Sequence, residues 1–241
     1  MTTPNSMSDR APVVLITGAN KGLGRETARQ LVREHWTVYL TARDAERGRE
    51  AADAVGAHLL RLDVKDDASV HAAADALQRS HGHLDVLINN AAYVGDLHMD
   101  TAEVRADDVQ AVYETNVLGL VRVTRAFLPL LRAAIAPAII NVSSGLGSLT
   151  RAANPDELES QWVSLAYASS KTAVNMLTLQ YAKAFPDIRI NAVDPGLTAT
   201  DGTGNIGKDV SEGVQAAVRM ALLRGAAPTG TFTDINGPVP W

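Results

Sequence analysis

Val13-Val14-Leu15-Ile16-Thr17-Gly18-Ala19-Asn20-Lys21-Gly22-Leu23-Gly24 is an apolar run that ends in a glycine-rich turn and passes directly into a helical pattern. Four aliphatic residues and a threonine read as a short buried strand, and residues 23–34 have the spacing of a helix. In that order, strand, turn and helix place the first backbone N–H groups of the helix where a pyrophosphate binds. Gly18 permits the tight turn, Gly22 a close approach of backbone to ligand, and Gly24 close packing of helix on sheet. Three residues separate the first two glycines, and Leu23 and Gly24 stand where a nucleoside-triphosphate loop has Lys and Ser or Thr. The turn therefore suits a hydride-carrying dinucleotide better than ATP.

Outward from this unit the pattern repeats. Strands are expected over residues 37–41, 57–62, 84–88, 138–142, 188–193 and 231–235. Between them, helices are expected from residue 43 onward, over 66–79, over 103–131, around Tyr167 to Tyr181, and over 209–222. The third long helix is interrupted at Asn116 and Gly119, and residues 149–164 are less regular. Alternating β and α elements make a mostly parallel sheet with helices on both faces the economical fold, with the ligand crevice outside the carboxyl ends of the strands. Gly18, Asn89, Ser144 and Pro195 all fall at such ends.

Composition narrows the functional classes. The 241 residues suffice for one domain, expected over 13–241 after a flexible arm at 1–12. A net charge of −5 gives no nucleic-acid footprint, and no segment has the length and apolarity of a membrane span. Cysteine is absent, which excludes thiolate chemistry and disulfides and is compatible with a cytoplasmic location. The six histidines lack a metal-binding spacing, and His81 and His83 are expected on a surface loop; no metal site is expected.

An acidic residue at the end of the second strand would bind the ribose diol of NAD. Here Thr41-Ala42-Arg43 stands in that place and Lys21 lies in the glycine turn, so two cations suit the 2′-phosphate of NADP(H). Asp63, at the end of the third strand, can accept the adenine amino group with Val64 offering a backbone donor. Its other reading is a turn or helix cap.

Tyr167 and Lys171 are four residues apart, on one face of a helix. A phenol is a feeble acid unless its phenolate is stabilised, and a nearby ammonium does that. Ser144 can hydrogen-bond a carbonyl oxygen, with Ser143 its local competitor, and neither has the surroundings of a nucleophile. Asn116 is poorly placed for helix propensity and can hold a water or turn a backbone carbonyl toward the site.

These motifs together resemble the classical short-chain dehydrogenase/reductase family, from residue 13 to the carboxyl end. The resemblance rests on the 17–24 turn, Asn89-Asn90-Ala91-Ala92, Asn116, Asn141-Val142-Ser143-Ser144, Tyr167-Ala168-Ser169-Ser170-Lys171 and Pro195-Gly196. It implies a Rossmann-like, doubly wound three-layer α/β sandwich with seven strands, and a tetrad. In that tetrad Asn116 supports a water-mediated proton relay, Ser144 rather than Ser143 positions the carbonyl, Tyr167 is the acid/base, and Lys171 lowers its pKa and binds ribose. It also implies that Asn20, Leu23, Asn90, Ala91 and Ala92 line the cofactor, with Pro195, Gly196 and Thr198 on the nicotinamide side.

The chain looks most like the NADPH-dependent monomeric carbonyl reductases of that family, with two departures. Ala92 replaces the last glycine of the Asn-Asn-Ala-Gly motif, removing freedom at that turn. Ser144 and Tyr167 are 23 positions apart, longer than is usual, which puts an insertion at about 151–164 beside the substrate entrance. A monomer is expected on that account, with a dimer left open. Tyr93, Val94, Leu97, Leu146, Leu149, Trp162 and the 197–206 loop are candidates for an apolar wall, and Gly202, Gly204 and Gly207 for the give of a closing loop. The expected activity is NADPH-dependent reduction of a small-molecule ketone or aldehyde. The rivals are oxidation of a secondary alcohol or sugar, and a non-catalytic NADP-binding sensor.

Overall fold

A computed structural model of the chain describes residues 10–97, 99–223 and 227–241. Its strands are β1 (Val13–Ile16), β2 (Thr37–Ala42), β3 (His58–Arg61), β4 (Val86–Asn89), β5 (Ala138–Val142), β6 (Arg189–Val193) and β7 (Phe232–Thr233). They form one sheet in the order β3-β2-β1-β4-β5-β6-β7, and each neighbouring pair is parallel. The sheet is the expected doubly wound one. Chain order reverses between β1 and β4, which opens the crevice there.

Both faces of the sheet are covered, and that explains why its central strands are unbroken apolar runs. From β1, Val14 and Ile16 point into one core with Val86 and Ile88 of β4 and Ala138 and Ile140 of β5. Helices α1 (Gly22–Arg33), α2 (Ala45–Val55) and α9 (Gln215–Leu222) close it, with the short α8 (Val210–Gly213) before α9. Val13, Leu15, Leu87, Ile139 and Ile190 point the other way, onto α3 (Asp67–Ser80) and α5 (Gly119–Arg132). Phe127 at the centre of that second core is fully buried, and emptying such a site costs about 3–5 kcal/mol.

α7 (Leu165–Ala184) lies on this second face but is fastened differently. Its buried residues are Ser170, Lys171, Val174, Asn175 and Thr178, four of them polar. Asn141 Nδ2 donates to Thr178 Oγ1 at 2.9 Å, Asn89 Nδ2 donates to Asn141 Oδ1 at 2.9 Å, and Ser143 Oγ donates to Asn175 Oδ1 at 2.6 Å. Paired buried polar groups of this kind fix register as well as proximity.

Sequence expectation and structure differ in three places. The interrupted helix at 103–131 is α4 (Ala106–Tyr113), one π-helical turn (Glu114–Leu118) and α5. The break comes at Asn116, whose side chain is engaged outside its own helix. The irregular stretch holds a short α6 (Leu149–Ala153) and a 3₁₀ turn (Leu158–Gln161). His81 and His83 are folded in rather than held on the surface. His83 is buried beside Asp85, 3.4 Å away, and the His81 ring nitrogen shares a hydrogen bond with the Tyr39 hydroxyl at 3.0 Å.

Of the expected arm, residues 1–9 lie outside the described residues. Arg10 reaches to within 3.7 Å of Asp85, and the Pro12 carbonyl accepts from Thr37 N at 2.9 Å. Among the described residues no helix is long and apolar enough to cross a membrane, and no cluster suited to a metal ion occurs.

Candidate active site

The carboxyl ends of β1, β4, β5 and β6 converge on one crevice. At β1 the chain turns at Gly18, whose φ is +61° and whose Cβ position would lie 2.8 Å from Ala91 Cα. Only glycine satisfies both the backbone angle and that contact. Asn90 braces the turn, its Nδ2 donating to the carbonyls of Thr17 at 2.9 Å and Gly18 at 3.2 Å. The Thr17 hydroxyl accepts the amides of Asn90 and Ala91, each at 3.0 Å. Ala92 keeps ordinary backbone, since the non-glycine residues with positive φ among those described are His35 and Asn205.

The opening of α1 is unlike those of α2 and α3. Asp44 and Asp66 cap the latter two with their carboxylates, and an acid stands in each first turn. Lys21, the N-cap of α1, makes no side-chain cap, and the first turn holds no acid. No side-chain oxygen caps the amides that open α1, a start suited to an anion.

At the other side of the crevice Ser143 and Ser144 part. Ser143 is 1% exposed and committed to Asn175 and the Lys171 carbonyl. Ser144 is half-buried, its hydroxyl facing the Tyr167 phenol and accepting from Leu146 N at 3.3 Å. The Lys171 ammonium lies 5.6 Å from the centroid of the Tyr167 ring and donates to the Val142 carbonyl at 2.7 Å.

Burial pushes the Tyr167 phenol up to about 12; the charge of Asp194 adds to this and the nearby Ser144 hydroxyl works against it. Burial pulls the Lys171 ammonium down to about 8, opposed by Asp194. A proton donor, a cation and a hydroxyl thus share one corner. The segment 145–147 lies directly on α7, where a Cβ at Gly147 would come 2.7 Å from the Lys171 backbone.

The short chain dehydrogenase family profile matches residues 12–211. The chain belongs to the short-chain dehydrogenase family. It is 32% identical to a (+)-neomenthol dehydrogenase of Arabidopsis thaliana, over 94% of this chain and 97% of the relative. It is 33% identical to a (−)-isopiperitenone reductase of Mentha piperita, again over 94% and 97%. An NADPH-bound carbonyl reductase from chicken fatty liver superposes with a TM-score of 0.85 at 28% identity, covering 96% of this chain and 100% of the other.

In this short-chain dehydrogenase the Asn116 side chain acts as a clamp. Its Oδ1 accepts from Tyr93 N at 2.7 Å, and its Nδ2 donates to the Tyr93 carbonyl at 3.0 Å and to Ser170 Oγ at 2.9 Å. A cavity of about 10 Å³, the size of one water, lies beside it, lined by Thr17, Asn89, Thr115, Asn116 and Lys171. Asn89 Oδ1 is buried with no hydrogen-bond partner.

A second cavity, of about 150 Å³, lies between the loop after β4, α4 and the segment entering α7; Tyr93, Val94, Met99, Val112, Val163 and Leu165 line it. Of the expected apolar wall, Tyr93 and Val94 are there, whereas Leu149, at the start of α6, and Trp162, in the inserted stretch, are exposed and do not line it.

The end of β2, where the sequence reading expects the adenosine, contains more than that reading placed there. Lys21 is paired with Asp201 at 2.8 Å, and Arg61 Nε donates to the Arg43 carbonyl at 3.5 Å, bringing a third cation to the end of β2. Asp63 Oδ1 accepts from Lys65 N at 3.0 Å, the turn reading of that residue; Val64 contributes to the second core and to the water-sized cavity.

Thr198 is 2% exposed, and its hydroxyl lies 3.2 Å from the Pro195 carbonyl and 3.0 Å from that of Gly196, holding the turn closed. The 197–208 loop is tied at its base by Ala199 N to Lys208 O and Lys208 N to Leu197 O. Arg151 and Asp194 were missed. Nothing local marks either, and they meet only across the tertiary fold.

Proposed function

We propose that this protein reduces a moderately hydrophobic ketone or aldehyde to the alcohol with NADPH, Tyr167 serving as the acid. The observation that carries the reading is the corner in which the Ser144 hydroxyl faces the Tyr167 phenol while the Lys171 ammonium lies 5.6 Å from its ring. The dinucleotide's phosphates would lie on the uncapped start of α1 over Gly18, Asn20, Gly22, Leu23 and Gly24. Its 2′-phosphate would be met by Lys21 and Arg43, and its adenine by Asp63 and Val64. Asn90, Ala91, Ala92, Pro195, Gly196 and Thr198 would flank the nicotinamide side. Bound there, NADPH supplies the hydride.

Ser144 orients the carbonyl oxygen toward Tyr167, which delivers its proton to that oxygen as alkoxide character develops. Lys171 limits the cost of the phenolate that remains, and Asn116, by the turn it imposes beside the water-sized cavity, gives the proton a route back to the pair. Burial makes the phenol a weaker acid than a free tyrosine, so the phenolate left after transfer needs the neighbouring Lys171 charge.

The substrate's body would enter the 150 Å³ cavity under Tyr93 and Val163. The alignment with the neomenthol dehydrogenase runs over 288 positions against 241 residues here, so that relative carries stretches this chain lacks. Its chemistry supports the carbonyl–alcohol reading, and its substrate serves only as a probe.

The test is a panel graded from cyclohexanone and benzaldehyde to menthone, read as NADPH oxidation, with Tyr167→Phe measured beside the wild type. Tyr167→Phe should bind NADPH normally and lose nearly all reduction. Wild-type turnover by that variant would sink the assignment.

A further inference from the structure

Arg151 belongs to α6, at the start of the stretch that lengthens the chain between Ser144 and Tyr167, and it reaches back beneath the active site. Its Nη1 lies 3.3 Å from Glu159 Oε1 and 3.5 Å from Asp194 Oδ2, and its Nη2 lies 3.2 Å from Asp234 Oδ2. Three carboxylates share one cation. They come from the 158–161 turn, the end of β6 and the turn after β7.

Asp194 is the most buried of the three, at 4% exposed. Its carboxylate accepts the amide of Gly196 at 2.8 Å and lies against Gly145, the residue after Ser144. A Cβ on Gly145 would lie 2.2 Å from Glu159 Oε1 and 3.0 Å from Asp194 Oδ2, so two carboxylates close around that residue. After burial itself, Asp194 is the charge that acts most on both Tyr167 and Lys171.

We propose that Arg151 is a positioning residue of the reaction: it keeps Asp194 ionised, and Asp194 in turn fixes the backbone behind Ser144, holds the Pro195–Gly196 turn and keeps Lys171 charged. This rests on the reading of Tyr167 and Lys171 given above. Burial pushes the Asp194 carboxyl up; the amides of Gly196 and Gly145 and the Arg151 guanidinium hold it down, and Glu159 pushes it up again.

The charged groups around Asp194 are Arg151 from α6, Glu159 from the 158–161 turn, Asp234 through Arg151, and Tyr167 and Lys171 from α7. Lys208 faces Gly196, its Nζ 3.1 Å from where a Cβ would stand. Losing the Asp194 charge lowers the pKa of Tyr167 and of Lys171 alike, yet both hold their protons on the acid side of neutrality, so the acid limb reads Asp194 itself through the backbone it fixes at Gly145 and Gly196.

The experiment is the acid limb of kcat for NADPH-driven reduction of menthone, or of the fastest ketone in the panel, in Arg151→Met, Arg151→Lys and Glu159→Gln. Arg151→Met should move the limb to higher pH by about one unit, Arg151→Lys should restore most of the wild-type profile, and Glu159→Gln should move the limb to lower pH. Limbs that stay in place, shifts of one sign in Arg151→Met and Glu159→Gln, or a kcat that falls evenly at every pH would overturn the role. If Arg151→Met does not fold, Glu159→Gln decides alone, and an unmoved limb overturns the proposal. Tyr167→Phe separates the two levels: if it is inactive while the limbs are unmoved, only the Arg151 role fails, whereas an active variant removes the reading beneath it.

Discussion

The cofactor half around β1 and the catalytic half around β5 and α7 are built on different physics. Around β1 the constraints are steric and backbone-borne: a backbone angle at Gly18, a packing contact at Ala91, and a helix start left uncapped at Lys21. Around β5 they are carried by polar side chains. Ser143 meets Asn175, Asn141 meets Thr178, and Asp194 meets Arg151. The first half depends on shape; the second depends on pairing buried polar groups, each of which costs stability if left alone.

Four measurements break or sharpen that contrast. The largest effect is expected from the two serines. Ser144→Ala should lower ketone turnover by about 10²-fold with stability near wild type. Ser143→Ala should spare the chemistry and lower stability in denaturant by about 1–2 kcal/mol, because Asn175 Oδ1 loses its donor. The reverse pattern would exchange their roles.

Gly18→Ala should be next, destabilising by about 3 kcal/mol from the positive φ and the Ala91 contact together. A melting temperature equal to wild type would show that the turn does not require glycine.

Lys171 supplies a pH test. Its pKa falls from 10.5 to about 8 in the fold, so the unfolded chain binds its proton more tightly. Wild-type stability therefore rises with pH between those two values and is lost as pH falls through about 8. Lys171→Met should be favoured over wild type most strongly below about pH 8, and the advantage should shrink by up to about 3 kcal/mol toward pH 10.5. Parallel stability curves for the two proteins would contradict the depressed value.

The smallest effects lie at the adenosine corner. Arg43→Ala should reduce the preference for NADPH over NADH by about tenfold, as for one charge-assisted contact. Asp201→Asn, which frees Lys21 from its exposed pair, should tighten NADPH only a few-fold. Equal NADPH affinities in all three proteins would remove both cations from the phosphate site.

Legibility in the sequence follows the same division. Each of the seven strands falls within a residue or two of the pattern read from hydrophobic runs, because burial on both faces makes a parallel strand nearly continuous in apolar residues. Residues 138–142 coincide with β5. The Tyr167–Lys171 pair was legible because helix geometry alone puts positions four apart on one face.

Asn116 was legible as a misfit in a helix, but not as the clamp of Tyr93 to Ser170. His83 is the loop residue expected but is buried rather than on the surface, because nothing in residues 81–83 foretells the partner at Asp85 and the arginine at position 10.

By itself the sequence determined the order of the elements, the glycine turn, and the tyrosine, lysine and serine that meet at the strand ends, since each depends on neighbours a few residues away or on the rule that parallel sheets bind at one edge. Only the tertiary structure decided that Ser143 is spent on Asn175, that Lys21 is held by Asp201, and that Arg151 gathers Glu159, Asp194 and Asp234 beneath the site. These depend on charges and hydroxyls brought together from across the chain, where burial strengthens their interaction and sequence spacing carries no record of it.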